Sequence, residues 1–275
     1  MSKTKKKIVK VWGGVGNQLF IYAFARLLSE KTNGVHLEIR TGFTNDFYKR
    51  SYRLDAFQTV LPAASYFESL YYACKRKLGG ISSLFFPNTI LHEEVENTLC
   101  SINELRVDEE ATNYYVGYWQ RLDFSHLRPT LLQELNFIVS ETDTFVGYKQ
   151  LIQQSENSVM LHLRRIQYSD LLGLDYYYKG IEYILSKTKD VTIYIYSDDI
   201  EWCKKNFQIE SKHHFIENFD DELYELKLMS LCHHFVIANS TYSWWGAWLS
   251  ENKNKIVVMP DGYTDVSMNG EVVHL

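Results

Sequence analysis

A chain of 275 residues, 45% hydrophobic and 23% charged, can bury a substantial core as one large domain or two small ones, which excludes a disordered polymer. Its formal net charge of -5 argues against a nucleic-acid protein, whose first signature is a basic footprint. No window approaches about eighteen uninterrupted apolar residues, and no apolar signal region follows MSKTKKK, so a cytoplasmic chain is expected.

In chain order, KIVKVW predicts a strand over about residues 7 to 12, and three glycines follow in GGVG. A helix is expected from about 17 to 32, with Phe20, Ala23, Phe24, Leu27 and Leu28 at the i, i+3, i+4 spacing of a core stripe. GVHLEIR alternates Val35, Leu37 and Ile39 with polar positions and reads as a second strand, a βαβ beginning. Residues 43 to 115, with Pro62, Pro87, Gly79 and Gly80, suggest helices joined by loops. From about 156 the apolar strand candidates SVMLHLR, VTIYIYS, HHFIE, HFVIANS and KIVVMP alternate with helix candidates. That alternation signals parallel sheets covered on both faces, so the expected fold is α/β, two Rossmann-like domains facing a cleft. The boundary is expected in KQLIQQSENS (149 to 158), giving domains 1–155 and 156–275.

Cys74, Cys100, Cys203 and Cys232 lack a CxxC or Cys/His spacing, so neither a zinc site nor a disulfide framework is indicated. Lys3, Lys5, Lys6 and Lys7 form one basic cluster, and YYACKRKLGGISSLFF (71 to 86) interleaves Lys75, Arg76 and Lys77 with aromatics. A solvated tail and an exposed helix end explain them most simply; the other option is peripheral contact with an anionic (inner) membrane surface.

In open α/β sheets ligands bind beyond the carboxyl ends of strands. Three strands of the second half end in chemistry-bearing residues: His162, Arg164 and Arg165; Ser197, Asp198 and Asp199; and Asn239, Ser240, Thr241 and Ser243. A guanidinium fork matches two phosphate oxygens, so HLRR suits a diphosphate, against the alternative of surface salt bridges. NSTYSWW adds hydroxyl and amide donors at an expected helix start, an anion site or else a plain N-cap. Asp198 is expected at the ligand and Asp199 at the cap of the next helix. Trp244, Trp245 and Trp248 at helical spacing are expected mostly in the core. GGVGNQ is no dinucleotide fingerprint, since it lacks the third glycine, but Asn17 and Gln18 supply amide donors at the helix start. With no GxSxG, GxxxxGKS/T or HExxH motif and no DxD pair in the first half, a metal-independent transferase fits best.

In this order, GGVGNQLFIYAFA, GYWQ (117 to 120), HLRR, DYY (175 to 177), YSDDIEWC and LMSLCHHFVIANSTYSWWGAWL resemble the bacterial α-1,2-fucosyltransferases of glycosyltransferase family eleven, over nearly the whole chain. The resemblance implies a GT-B fold, GDP-β-L-fucose as donor substrate with no cofactor and no metal, and inverting transfer to the 2-hydroxyl of a terminal galactose. The implied setting is the synthesis of cell-surface glycans such as lipopolysaccharide O-antigen. Carried onto this chain, Arg164 resembles the pyrophosphate-binding arginine, with His162 and Arg165 shaping that site and Arg164 and His162 as the catalytic pair. Asp198, Asn239, Ser240 and Ser243 resemble further donor-site positions, and Gly14, Gly16 and Asn17 would face the fucose. Three departures stand out. The family pattern HxRRGD reads HLRRIQ, with Ile166 for glycine and Gln167 for the acid; the segment before DYY is short; and MPDGYTD lacks a tryptophan after the proline. They leave open the acceptor, the catalytic base, and two rival readings: a transferase of another GDP-deoxyhexose, or a non-catalytic GDP-sugar-binding homologue.

Overall fold

The computed structural model describes residues 5–78, 81, 89–93, 100–166, 172–264 and 266–275. The chain divides into two compact units, Met1–Asn136 and Phe137–Leu275.

In the first unit, β1 (Lys7–Lys10) turns at the glycines into α1 (Val15–Lys31), which leads to β2 (Val35–Glu38). α2 (Tyr66–Leu78), β3 (Thr89–Glu93), β4 (Thr112–Val116) and α3 (Arg128–Glu134) follow. The strands form a parallel sheet in the order β2-β1-β4-β3, with Ile8 opposite both His36 and Tyr114. The expected stripe of α1 is buried, but so are Ile21, Tyr22 and Ala25. The helix is covered on more than one face: Phe24 stacks on Trp119 at 3.9 Å, and the Tyr22 hydroxyl donates to Glu134 of α3 at 2.7 Å.

β3 and β4 correct the expectation of helices and loops over 43 to 115. TNYYV hides its strand character behind Asn113, which is fully buried yet satisfied: its Nδ2 donates to the Asp108 and Ala111 carbonyls, and its Oδ1 pairs with the His92 ring. A buried amide with its partners in place costs little, so polarity was a misleading sign here.

The second unit runs α4 (Asp143–Gln154), β5 (Asn157–Leu163), α5 (Leu174–Lys187), β6 (Val191–Ser197), α6 (Ile200–Asn206), β7 (His213–Phe215), α7 (Glu222–Ser230), β8 (His234–Val236), α8 (Thr241–Leu249), β9 (Ile256–Met259) and β10 (Glu271–His274). Its sheet has the order β10-β9-β8-β5-β6-β7, all neighbours parallel. Every expected strand is present, and β10, too short and exposed to stand out as EVVH, is an addition. The near-continuous apolar runs of β5 and β6 follow from cover on both faces. Helix α5 lies so close to β8 that a Cβ on Gly180 would sit 2.8 Å from a Val236 methyl carbon. Trp244, Trp245 and Trp248 are all fully buried, as core residues.

The units divide nearer the amino terminus than the expected 149–158 segment. α4 belongs to the second unit: the Phe145 ring lies 5.9 Å from Tyr224 of α7, and the Tyr148 hydroxyl donates to the Phe215 carbonyl at 3.1 Å. QLIQQSENS looked like a linker because it carries the outward face of this helix, with Leu151, Gln153 and Gln154 exposed.

Candidate active site

β8, β5 and β6 are neighbours, so their carboxyl ends share one edge of the second sheet, where the sequence expects a ligand. After β5 the chain turns through Arg164, Arg165 and Ile166, and Asp198, just beyond β6, holds that turn. Its carboxylate accepts from the Arg165 amide at 2.7 Å and the Ile166 amide at 3.1 Å and pairs with Arg164 Nε at 3.2 Å. Asp198 therefore positions both the loop and the guanidinium, a role that sequence spacing does not reveal. Asp199 caps α6 as expected, accepting from the Trp202 amide at 3.1 Å. The Arg165 guanidinium lies 3.7 Å over the Trp202 ring, which fixes its plane.

Ser240 caps α8: its Oγ accepts from the Tyr242 amide at 3.3 Å. Ser243 differs from the expectation of a donor-facing hydroxyl. It is fully buried and its Oγ donates to the Ser240 carbonyl at 3.2 Å, because its place on α8 points it into the packing. Asn239 lies half-buried in the loop between β8 and α8. His162 is buried on β5 with its ring 5.8 Å from Tyr242, and among the described residues its Nδ1 has no hydrogen-bond partner. Burial, then the Arg164 charge, pushes its pKa down to about 3, so the imidazole is neutral at neutral pH and a weak base. His162, expected as a catalytic residue, has its ring buried against Tyr242.

Glu225 of α7 carries no sequence signal. Burial, then the neighbouring Glu222, raises its carboxyl to about 7. It faces Tyr242 and Tyr196, whose hydroxyls burial keeps well above their ordinary pKa. A folded-state pKa above the unfolded value means that stability is full below about pH 4.5 and is lost as pH rises through 7. Replacing Glu225 with Gln removes that titration. Urea unfolding should show Glu225→Gln matching the wild type at pH 4.5 and exceeding it by about 1–3 kcal/mol at pH 8. Equal stability at pH 8 would refute the shifted carboxyl.

The glycine turn of the first unit is built differently. Gly13 has φ +81°, and a Cβ there would sit 3.1 Å from Asn17 Nδ2 and 3.3 Å from the Tyr118 ring, so only glycine fits. Gly14 is the N-cap position of α1, where no side chain caps the helix, and Gly16 is buried in its first turn. Gln18 departs from expectation: its amide donates to the Gly13 and Ser51 carbonyls and accepts from the Arg53 amide, so it braces the turn from inside. Asn17 is half-buried, and its Oδ1 accepts from Gln120 Nε2 at 3.1 Å. Trp12 and Tyr118, at the ends of β1 and β4, stack 4.2 Å apart beside this pair. The preceding GYWQ stretch holds Trp119 at φ +58°, a costly conformation for an aromatic residue.

Gln167 and the short segment after it, through residue 171, lie outside the described residues. Among the described residues no helix is long and apolar enough to cross a membrane.

Residues 82–272 match the family model described as "Glycosyl transferase family 11". The chain belongs to glycosyl transferase family 11. Two curated relatives align along nearly all of this family 11 chain. The Escherichia coli protein named "O-antigen biosynthesis glycosyltransferase WbnK" is 28% identical, covering 90% of this chain and 91% of its own. The E. coli "Alpha-1,2-colitosyltransferase" is 27% identical, covering 92% and 90%. Among solved structures, the fucosyltransferase NodZ from Bradyrhizobium matches with a TM-score of 0.56 at 12% identity, covering 90% of this chain and 94% of that one. At that identity the likeness shows the fold, and it is the GT-B type expected from the sequence. The family 11 chain is thus a glycosyltransferase.

Proposed function

We propose that this glycosyltransferase moves L-fucose from GDP-β-L-fucose to the 2-hydroxyl of a terminal galactose in an O-antigen-like glycan, with inversion and without a metal. One observation carries the reading: Asp198 holds Arg164 at 3.2 Å in the turn after β5, and the adjacent parallel strand β8 leads into the first turn of α8, so one sheet edge offers a diphosphate a guanidinium and helix N–H groups. Arg164, Arg165, Asn239 and Ser240 bind the GDP end, and Asp198 and Ser243 hold that frame. The acceptor oxygen attacks C1 as the bond to the β-phosphate oxygen breaks, and GDP departs with the electron pair. Stabilising that departing charge is the main catalytic contribution. Departure of GDP runs ahead of attack, so the acceptor oxygen loses its proton to solvent as the new bond forms and needs no strong base.

The O-antigen and colitosyl relatives support a GDP-sugar donor and a cell-surface glycan acceptor, and the nearly equal identities of the two keep a second donor in view. Colitose is fucose without its 3-hydroxyl, so the test compares GDP-fucose, GDP-colitose and GDP-mannose. Each is incubated with galactose-terminated oligosaccharides, with and without EDTA, and products are read by mass spectrometry and linkage analysis. An α-1,2-fucosylated product that persists in EDTA is expected. Preference for GDP-colitose moves the donor to that sugar. GDP binding with no product from any donor overturns the enzyme reading in favour of a non-catalytic homologue.

A further inference from the structure

α2 is amphipathic the wrong way round for a helix on a sheet. Its inward face is narrow, Ser69 and Tyr72, with Tyr72 packed on Ile8 and Tyr114. At 100° per residue the opposite face carries Phe67, Leu70 and Leu78, which are 80%, 48% and 42% exposed, with Tyr66 at its margin. Ile81, just beyond the helix, is exposed as well. Three basic residues, Lys75, Arg76 and Lys77, occupy the last turn, and Glu68 is the single acid of the helix.

Beside α2 lies a pocket of about 400 Å³ at the amino edge of the first sheet. Lys5 and Lys6 enter it from just before β1, Thr89 and Thr112 begin β3 and β4, and Phe67 and Tyr71 close it from α2. It is at the opposite end of β1 from the glycine turn. Lys6 pairs with Glu68 at 2.7 Å, Lys5 is exposed, and the Tyr71 hydroxyl bonds Thr89 Oγ1 at 2.9 Å. Phe67 belongs both to the pocket and to the apolar stripe, and Lys75 lies one helical turn beyond Tyr71 on the same side.

We propose that α2 and this pocket dock on an anionic lipid bilayer, the apolar stripe entering the headgroup boundary and the pocket receiving a headgroup phosphate. The occupant follows from charge and shape. In a chain of net charge -5, Lys5, Lys6, Lys75 and Lys77 lie beside one exposed apolar face, with Lys6 paired to Glu68, the one acid of the helix, while Arg76 on the other side donates to the Tyr72 hydroxyl. Apolar insertion combined with basic attraction is the pair of signals that reversible membrane attachment needs. The structure also revises the sequence expectation for 71 to 86. Tyr72 faces the core and Tyr71 is half-buried, and the apolar contact moves to Phe67, Leu70 and Leu78. Lys3, Gly79, Gly80 and residues 82–88 lie outside the described residues.

The test is flotation of the full chain with vesicles of phosphatidylcholine alone or mixed with phosphatidylglycerol, alongside light scattering. Binding is expected only to the phosphatidylglycerol vesicles, with loss in high salt and no competition from inorganic phosphate. Phe67→Ser with Leu70→Ser, and separately Lys75→Glu with Lys77→Glu, should each weaken binding about tenfold or more, at an unchanged thermal midpoint. No binding to anionic vesicles, or binding by either double variant equal to that of the wild type, overturns the proposal. So does a dimer that the Phe67 and Leu70 changes convert to a monomer, which assigns the stripe to a second copy. Displacement by inorganic phosphate assigns the pocket to a free anion and overturns it too.

Discussion

Arg164→Ala is expected to lower kcat/KM for glycosyl transfer about 10³-fold and to weaken GDP binding, read by titration calorimetry, at least about tenfold. The guanidinium is held by Asp198 at 3.2 Å and is mostly shielded, so it meets a diphosphate in a site of reduced dielectric, preorganised before the leaving group develops charge. Arg164→Lys keeps the charge but loses the fork and the simultaneous hold on Asp198, so it should recover GDP binding in part and turnover hardly at all. The Arg165 and Ile166 amides remain on Asp198 in either variant, so the loop keeps its course. Turnover by Arg164→Ala within about threefold of wild type would sink the assignment.

The largest stability effect is expected from Lys255→Met. Lys255 is fully buried just before β9, with its ammonium donating to the Ala247 and Ser250 carbonyls at the end of α8. It satisfies helix-end carbonyls that have no intrahelical donor, at the negative end of the helix dipole. Met fills much the same space but donates nothing, leaving carbonyls buried and unsatisfied at about 1–3 kcal/mol each. A loss of about 3–5 kcal/mol in urea unfolding is expected, and a loss below about 1 kcal/mol would show that water reaches those carbonyls. The opposite end of α8 carries Ser240, so the variant should also lose activity at lower temperature than the wild type.

What the sequence reveals and what it hides divide along physical lines. β5 and β6 are legible because strands covered on both faces must be apolar throughout, and α8 because its aromatic run has nowhere to go but the core. β4 escapes notice because buried Asn113 is polar, and only the carbonyls and imidazole that satisfy it reveal why it is tolerated. The candidate site shows the same split. Residue types at the ends of β5, β6 and β8 point to an anion, but direction is a tertiary property. Ser243 and Gln18 look like ligand donors in the sequence, and the structure turns both inward to brace the backbone. Asp198 looks like a ligand contact and is a clamp, and Gln120 shows its relation to Asn17 only across about a hundred residues of chain.

The strand order of the second sheet has a consequence during synthesis. β5 lies at its middle, yet its partner β8 leaves the ribosome about seventy residues later, after β6 and β7. At about 5–20 residues per second, one edge of β5 stays unpaired for several seconds while its apolar run MLHL is already made. Until β8 arrives, the half-built unit carries the bare template of its own aggregation, and translation speed between Leu163 and His234 sets how long it must be protected.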